Sequence, residues 1–124
     1  MNWKDYFNEN NGDGYLATAD NGGVVNVAPY FRPEVLDDGG LAFGMSDSRT
    51  YANVSSSGHA TFAFNEGGFK GVRLYLEKTQ ETESGLLLEK LRKRADAEVL
   101  PGVGEHLHHV VVFKVERHEP LTNV

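Results

Sequence analysis

The chain has 124 residues, of which 40% are hydrophobic and 24% charged; this balance indicates a single globular domain over residues 1–124 and excludes a disordered chain. The net charge of −6, from 18 acidic and 12 basic residues, argues against nucleic-acid binding, which needs a basic surface. The sequence has no cysteine, no apolar run that could cross a membrane and no signal-peptide pattern, so we expect a cytoplasmic protein without a thiolate site or membrane partners.

The first predicted elements are a short helix and a β-hairpin. The helix is predicted over residues 2–10, where aromatic residues recur at helical spacing. Strand patterns follow at residues 15–19 and 24–30, and the glycines of the turn at residues 20–23 allow the positive φ angles of a tight hairpin. Because Pro29 has no N–H to donate, the second strand is predicted at a sheet edge, where nearby backbone groups are free for another contact.

The next stretch is predicted to be a loop, a short strand and a second helix. Residues 31–38 are typical of a loop, and a turn then leads into an apolar strand over residues 41–45. Gly44 lies inside that strand, where a glycine marks either the close approach of a ligand or a β-bulge. The helix is predicted to begin near Arg49 or Thr50.

The start of this second helix is a candidate anion site. The first N–H groups of a helix have no intrahelical partner and lie at its positive end, so they favour a phosphate or a carboxylate. Arg49 would add charged donors, and Ser46, Ser48 and Thr50 would add hydroxyl groups. The same residues also fit simple N-capping by Ser48 with Arg49 in solvent, and this part of the sequence leaves both interpretations open.

The second half of the chain predicts more strands and one longer helix. Gly58 is predicted to end the second helix, and strands are predicted at residues 60–65, 69–82 and 108–116. Ser84 is a candidate cap for the helix between the last two strands. Its predicted buried stripe is Leu87, Leu88, Leu91 and Ala95, and its predicted water-facing residues are Glu89, Lys90, Arg92, Lys93 and Arg94. Several antiparallel strands with two or three helices result.

Common catalytic and metal motifs are not found. Neighbouring strand residues point to opposite faces, so His108 and His109 are not predicted to share a metal with His106, and we expect no metal site. Ser55–His59 lacks the glycine before the serine that a nucleophile elbow requires, and no phosphate-cradling or dinucleotide-binding glycine motif occurs. An anion site without an evident acid, base or nucleophile suits a protein whose cofactor carries the reactivity.

Three segments resemble the FMN-binding split-barrel proteins related to pyridoxamine 5′-phosphate oxidase: residues 23–30, 40–50 and 52–54. The later strands, the late helix and the closing strand to residue 121 follow that family's layout. The resemblance implies a mainly β protein with helices (α+β), a six-stranded antiparallel split β-barrel with Greek-key character flanked by two or three helices. It also implies FMN as the cofactor.

The resemblance implies a phosphate site at Ser48, Arg49 and Thr50, and a flavin ring held by main-chain groups of two strands. The cofactor-binding residues that it implies are Val25, Asn26, Val27, Ala28, Phe43, Gly44, Ser46, Ser48, Arg49, Thr50 and Arg73. Family sites lie at a homodimer interface, so Arg73 or Lys70 would reach FMN held mainly by the partner subunit, although Arg73 equally fits an ordinary outward strand residue. Asn53 would anchor the site from within the helix.

The function implied is that of a homodimeric FMN-dependent oxidoreductase acting on a small-molecule substrate or a redox partner. The sequence stops at Val124, without the additional C-terminal segment of the vitamin-oxidising enzymes, so we expect similarity to small members such as flavin reductases. The alternatives are a non-catalytic electron carrier or flavin sensor, or a pocket for another cofactor such as a deazaflavin or haem.

Overall fold

The computed structural model describes residues 1–123, which form seven strands, three α-helices and one 3₁₀-helix. The α-helices are α1 (Trp3–Glu9), α2 (Arg49–Ser57) and α3 (Leu86–Glu98), and the 3₁₀-helix is Val103–His106. The strands are β1 (Asp13–Ala19), β2 (Val25–Pro29), β3 (Glu34–Val35), β4 (Leu41–Met45), β5 (His59–Gly67), β6 (Lys70–Thr82) and β7 (His109–Pro120). The predicted mixture of antiparallel strands and helices is confirmed.

All seven strands belong to one antiparallel sheet in the order β2-β1-β5-β6-β7-β4-β3. The prediction of six strands was one too few, because the two-residue β3 lies within the predicted loop at residues 31–38. Strands β2 and β3 are opposite edges of the sheet but are joined by a connection that spans at most about 18 Å. A flat sheet of seven strands would separate these edges by about 29 Å, so the sheet must curl into an open barrel.

The barrel interior is filled by aromatic and aliphatic side chains. Phe43, Phe62 and Phe113 are at most 2% exposed and meet edge to face, the arrangement that aromatic rings prefer. Helix α1 places Trp3 and Phe7 over one end of this core, as the spacing of its aromatics predicts. Burying each such ring stabilises the fold by about 1.5–3 kcal/mol relative to exposing it.

Strand β4 is buried on both faces, which explains its unbroken apolar sequence. Phe43 lies in the barrel core, whereas Ala42 faces a second cluster formed with Leu88 and Leu91 of α3 and with Val110 of β7. Helix α3 therefore packs on the outside of β4 and β7. This packing sets α3 opposite the residues that follow β2, and the space between them becomes the candidate site.

The helix boundaries follow local capping chemistry, with one correction to the prediction. Ser48 caps α2 by accepting a hydrogen bond from the N–H of Tyr51 (3.2 Å), and Gly58 ends α2 at a φ of 77°. The predicted cap of α3 at Ser84 was wrong, because Gly85 occupies the N-cap position and no side chain caps the helix there. Among the described residues, no helix has the length and apolar character needed to span a membrane.

Candidate functional site

A cavity of about 320 Å³ lies between the end of β2, strand β4, the start of α2 and the C-terminal half of α3. This volume falls in the range of about 300–1,000 Å³ that is typical of small-molecule sites. Its lining residues are Ala28, Pro29, Tyr30, Phe31, Arg32, Ala42, Phe43, Gly44, Ser46, Ser48, Thr50, Leu91, Arg94, Ala95, Val99, Val103 and Leu107. The cavity has two chemically different ends.

The polar end consists of Ser46, Ser48, Thr50 and the first turn of α2. Ser48 satisfies only the N–H of Tyr51, and the N–H groups of Arg49 and Thr50 have no hydrogen-bond partner among residues 1–123. N-capping and an available helix start therefore coexist. These free donors, the hydroxyl groups and the positive end of the helix make the polar end suitable for an anion.

Two amide side chains attach α2 to the strands beside it. Asn26 of β2 donates a hydrogen bond to the hydroxyl of Thr50 (Nδ2 to Oγ1, 3.3 Å). Asn53 donates one to the hydroxyl of Thr18 on β1 (3.0 Å), and both of these partners are buried. Because the helix is tied to the sheet at these two points, the positions of its first N–H groups are fixed before any ligand binds.

Tyr30 is a component of the cavity that the sequence analysis did not single out. It lies next to Ser48 and Thr50, and its ring meets that of Phe43 edge to face at 5.9 Å. Burial raises the pKa of Tyr30 above its ordinary value, and the hydroxyls of Ser48 and Thr50 only partly oppose this. Tyr30 is therefore a neutral phenol at neutral pH and can donate a hydrogen bond. Its position directly after the edge-strand proline was the available signal.

The apolar end is formed by Leu91, Ala95, Val99, Val103 and Leu107, with Phe31 nearby. Arg32 and Arg94 also line this end, but carboxylates and backbone carbonyls accept hydrogen bonds or ion pairs from both guanidinium groups. Arg94 contacts Glu34 (Nη1 to Oε2, 2.8 Å) and Glu98 (Nε to Oε2, 3.5 Å) and donates to the carbonyl of Arg32. The prediction that Arg94 faces water was wrong, since its side chain is only 18% exposed.

The charge at the apolar end is balanced by Glu34. Burial opposes the ionisation of this carboxyl, yet Lys90 and Arg94 together hold the pKa of Glu34 below its usual value. The carboxylate therefore stays charged at neutral pH and neutralises the guanidinium beside it. This end of the cavity presents apolar walls rather than a free positive charge.

The predicted cofactor residues are divided between the cavity and the opposite face of the sheet. The predicted residues that line the cavity are Ala28, Phe43, Gly44, Ser46, Ser48 and Thr50. Val25 and Val27 point to the outer face because side chains alternate along β2. The side chain of Arg49 is exposed and does not line the cavity. It has no hydrogen bond or ion pair within residues 1–123.

Arg73 lies on the outer face of β6, in one cross-strand row with Ala63, Tyr15 and Pro29. One guanidinium nitrogen approaches Glu119 (Nη2 to Oε1, 3.6 Å). Its Nε is buried and has no hydrogen-bond partner within the described chain. Arg73 does not line the cavity.

Two groups of residues that include histidines lie outside the cavity lining. His109 is buried beside Asp47 at the start of β7, whereas His106 and His108 are exposed. On the outer face, possible ligand atoms of His59, Glu77 and Glu116 lie within 4.8 Å of one another. These three residues are at least partly exposed and lie away from the cavity, and acidic surface groups are common without a metal.

No protein-family model matches the chain, and no curated protein matches its sequence. Solved structures do match its fold. An FMN-binding protein from Syntrophomonas wolfei is 24% identical, with 95% of this chain and 82% of that chain covered and a TM-score of 0.79. An F420 reductase is 16% identical, with 93% and 94% covered and a TM-score of 0.70. HutZ, the heme storage protein from Vibrio cholerae, is 13% identical, with 95% and 92% covered and a TM-score of 0.64.

These likenesses span nearly the whole chain. At such low sequence identity they establish the fold alone. They confirm the fold predicted from the three sequence segments. The chain has the split-barrel fold of the FMN-binding proteins related to pyridoxamine 5′-phosphate oxidase.

Proposed function

We propose that this protein binds FMN in the cavity beside α2 and works as a flavin-dependent oxidoreductase on a small molecule or a redox partner. One observation carries the proposal: a single cavity joins free helix N–H groups and hydroxyls at one end to a slot beside an edge strand and a glycine. An FMN-binding protein with the same fold supports the choice of flavin.

The polar end fits the phosphate of FMN. The free N–H groups of Arg49 and Thr50 point out of the first turn of α2, and the hydroxyls of Ser46, Ser48 and Thr50 line the adjacent wall. A phosphate accepts several hydrogen bonds at once and is favoured by the positive end of the helix. The guanidinium of Arg49, which has no partner within residues 1–123, would close over this group from the solvent side.

The neighbouring slot fits the flavin ring. Strand β2 is an edge strand, so one side of its backbone has no strand partner in the described chain, and Ala28 and Pro29 line the cavity there. On the opposite wall Gly44 has no side chain, and a Cβ at this position would lie 2.8 Å from Cδ1 of Leu107. Leu107 therefore packs against the backbone of Gly44, and a planar ring would lie between the backbone of β2 and this apolar wall.

The redox chemistry would come from the bound flavin, which accepts hydride or electrons at its ring. The residues of this chain would bind, orient and exclude water. Tyr30, as a neutral phenol beside Ser48 and Thr50, would donate a hydrogen bond near the junction of the polar end and the ring slot. Phe43 and the wall formed by α3 would keep water away from the ring.

The proposal includes a homodimer with the flavin at its interface. Val25 and Val27 are 78% and 64% exposed, and no described helix covers this outer face of β2 and β1. Covering such apolar surface with a second copy stabilises association by about 25 cal/mol per Å² buried. Arg73 lies on the same face, and its partly exposed guanidinium would reach the flavin of the neighbouring subunit.

The dimer is tested by sedimentation at micromolar concentration. We expect a dimer for the parent protein and a monomer for Val27→Lys, because a charge would be buried in the contact. Leu86→Lys is the matched control, since Leu86 is 90% exposed on α3 and lies away from this face. A monomeric parent protein at this concentration would contradict the interfacial site.

Flavin binding is tested by titrating the apoprotein with FMN and with riboflavin, which lacks the phosphate. We expect tighter binding of FMN, and Arg49→Ala should weaken FMN binding by about 10- to 100-fold while leaving riboflavin unchanged. Lys93→Ala, an exposed change on α3, is the control. Equal affinity of Arg49→Ala and the parent protein for FMN would contradict the phosphate assignment.

The absorption spectrum of the purified protein separates the cofactors. A flavin spectrum, with released FMN, supports the proposal, whereas a Soret band would favour haem and a deazaflavin spectrum would favour that cofactor. Steady consumption of a reduced nicotinamide by the FMN-loaded protein supports an oxidoreductase. Its absence, together with reversible reduction of the flavin, would indicate an electron carrier or sensor.

A further inference from the structure

A buried histidine contacts both flanks of the proposed phosphate segment. His109 is the first residue of β7, and its side chain is 8% exposed. Its Nε2 lies 2.6 Å from Oδ1 of Asp47, the residue just before Ser48. Its ring stacks on that of Tyr51, the residue just after Thr50, with centroids 3.6 Å apart and planes 5° apart.

The backbone fixes His109 in this place. His109 pairs with Met45 across the β4–β7 ladder, and the N–H of the preceding residue, His108, donates to the carbonyl of Met45 (2.9 Å). The imidazole therefore belongs to the rigid sheet, whereas Asp47 and Ser48 lie in the short connection between β4 and α2. A contact from the sheet to this connection limits where it can move.

The contact with His109 keeps the Asp47 carboxylate from bonding the helix N–H groups that an anion would use. The N–H groups of Arg49 and Thr50 are free, and a carboxylate two or three residues upstream is a natural competitor for them. A hydrogen bond from His109 lowers the pKa of Asp47, with burial opposing and the charges of both histidines assisting. Asp47 is thus a carboxylate at neutral pH, and the histidines determine which way it points.

The other charged groups around His109 are consistent with this arrangement. Nδ1 of His108 lies 3.4 Å from Oδ2 of Asp47, and Oε1 of Glu83, beyond the end of β6, lies 3.3 Å from Nδ1 of His109 without hydrogen-bond geometry. The hydroxyl of Tyr51 donates a hydrogen bond to Oε1 of Glu81 (2.8 Å) and not to His109. Nε2 of His109 is therefore the ring nitrogen that holds Asp47.

We propose that His109 is a positioning residue for the phosphate site: it holds the Asp47 carboxylate away from the start of α2 and keeps Ser48, Arg49 and Thr50 in place for an anion. This inference rests on the proposed function. It assigns a role to a residue that touches neither the cavity nor the ligand.

The variant His109→Phe tests the role, because phenylalanine keeps the burial and the stacking on Tyr51 but cannot donate to Asp47. We expect FMN binding to weaken by about 10-fold, since Asp47 is released to compete for the helix N–H groups. Riboflavin binding should stay within about 2-fold of the parent protein, because riboflavin has no phosphate. His106→Phe, at an exposed site, is the matched control.

Rescue distinguishes positioning from a merely structural role. Asp47→Asn in the His109→Phe background removes the competing charge, so FMN affinity should return to within about 3-fold of the parent protein. His109→Gln, which keeps an N–H donor for Asp47, should also bind FMN nearly as well as the parent. If His109→Phe does not fold, His109→Asn replaces it, because its shorter side chain removes the contact without adding volume.

The outcomes separate this inference from the proposed function. Equal weakening of FMN and riboflavin, no weakening of either, or no rescue by Asp47→Asn would overturn the role of His109 while FMN binding by the parent protein still supported the proposed function. Failure of the parent apoprotein to bind FMN would overturn the proposed function and this inference together.

Discussion

The two ends of the cavity are built in opposite ways. The polar end comes from the consecutive residues 46–50, where hydroxyls and a helix start follow one another along the chain. The apolar end is assembled from α3 and the 3₁₀-helix, which lie more than 35 residues away in sequence and reach the cavity only because α3 packs on β4. One end is local chemistry, and the other is a product of tertiary packing.

Because of this difference, the two ends contribute differently to ligand binding. Free backbone donors at the polar end cost little to maintain while water can reach them, and they give binding strength to an anionic group. At the apolar end the guanidinium of Arg94 is matched by Glu34 and Glu98, so the wall shapes the cavity and excludes water without attracting charge. Ligand identity should therefore depend on the polar end, and cavity shape on the apolar end.

The largest expected effect comes from filling the space between the two ends. In Gly44→Val, the new Cβ would lie 2.8 Å from Cδ1 of Leu107, so the added side chain would displace Leu107, which lines the cavity. We expect FMN and riboflavin binding to fall together by about 100-fold, which a fluorescence titration would measure. Gly22→Val, in an exposed turn, is the control. Selective loss of FMN alone would mean that Gly44 belongs to the polar end.

A change in the apolar wall should act on stability first. Arg94→Met keeps the length of the side chain but leaves Glu34, which is 20% exposed, with Lys90 as its only cationic partner in residues 1–123. We expect a loss of about 1–3 kcal/mol in the free energy of unfolding, measured with urea. Lys93→Met on the same helix should change little, because Lys93 is exposed. An Arg94→Met protein as stable as the parent would show that the pair makes no net contribution.

The pH dependence of stability tests the same ion pair of Glu34, with a smaller expected effect. The pKa of Glu34 is lower in the folded than in the unfolded protein, so its contribution is present above the unfolded value, near 4.5, and is lost as pH falls through the folded value. The stability difference between the parent protein and Glu34→Gln should thus shrink between about pH 5 and pH 3. Parallel stability curves over this interval would contradict the ion pair's contribution.

The sequence allowed the polar end to be predicted because its determinants are local. Ser48 as a cap, the helix start at Arg49 and the end at Gly58 all depend on residues within one or two turns, and each was confirmed. The strand at residues 41–45 was also predicted at its observed bounds. The order of strands in the sheet could not be derived from such local signals, and the resemblance implied only the type of barrel.

The roles of Arg94 and His109 could not be predicted, because they depend on contacts between segments that are distant in sequence. Arg94 looks like a solvated basic residue until β3 places Glu34 beside it, and β3 itself is only two residues long. His109 appears to be an ordinary strand-end histidine until β7 pairs with β4 and sets it against Asp47. These roles depend on pairing between distant segments, which periodicity along the chain does not encode.

The smallest expected effect concerns Tyr30, at the boundary between the two ends. Tyr30→Phe removes one hydroxyl beside Ser48 and Thr50 from a partly buried side chain but keeps the ring contact with Phe43 at 5.9 Å, so the cavity shape should not change. A neutral hydrogen bond contributes about 0.5–1.5 kcal/mol, and we therefore expect FMN to bind about 2- to 10-fold more weakly. If Tyr30 belongs to the polar end, riboflavin affinity will not change, and equal weakening of both flavins in the same titration would instead place its hydroxyl beside the ring.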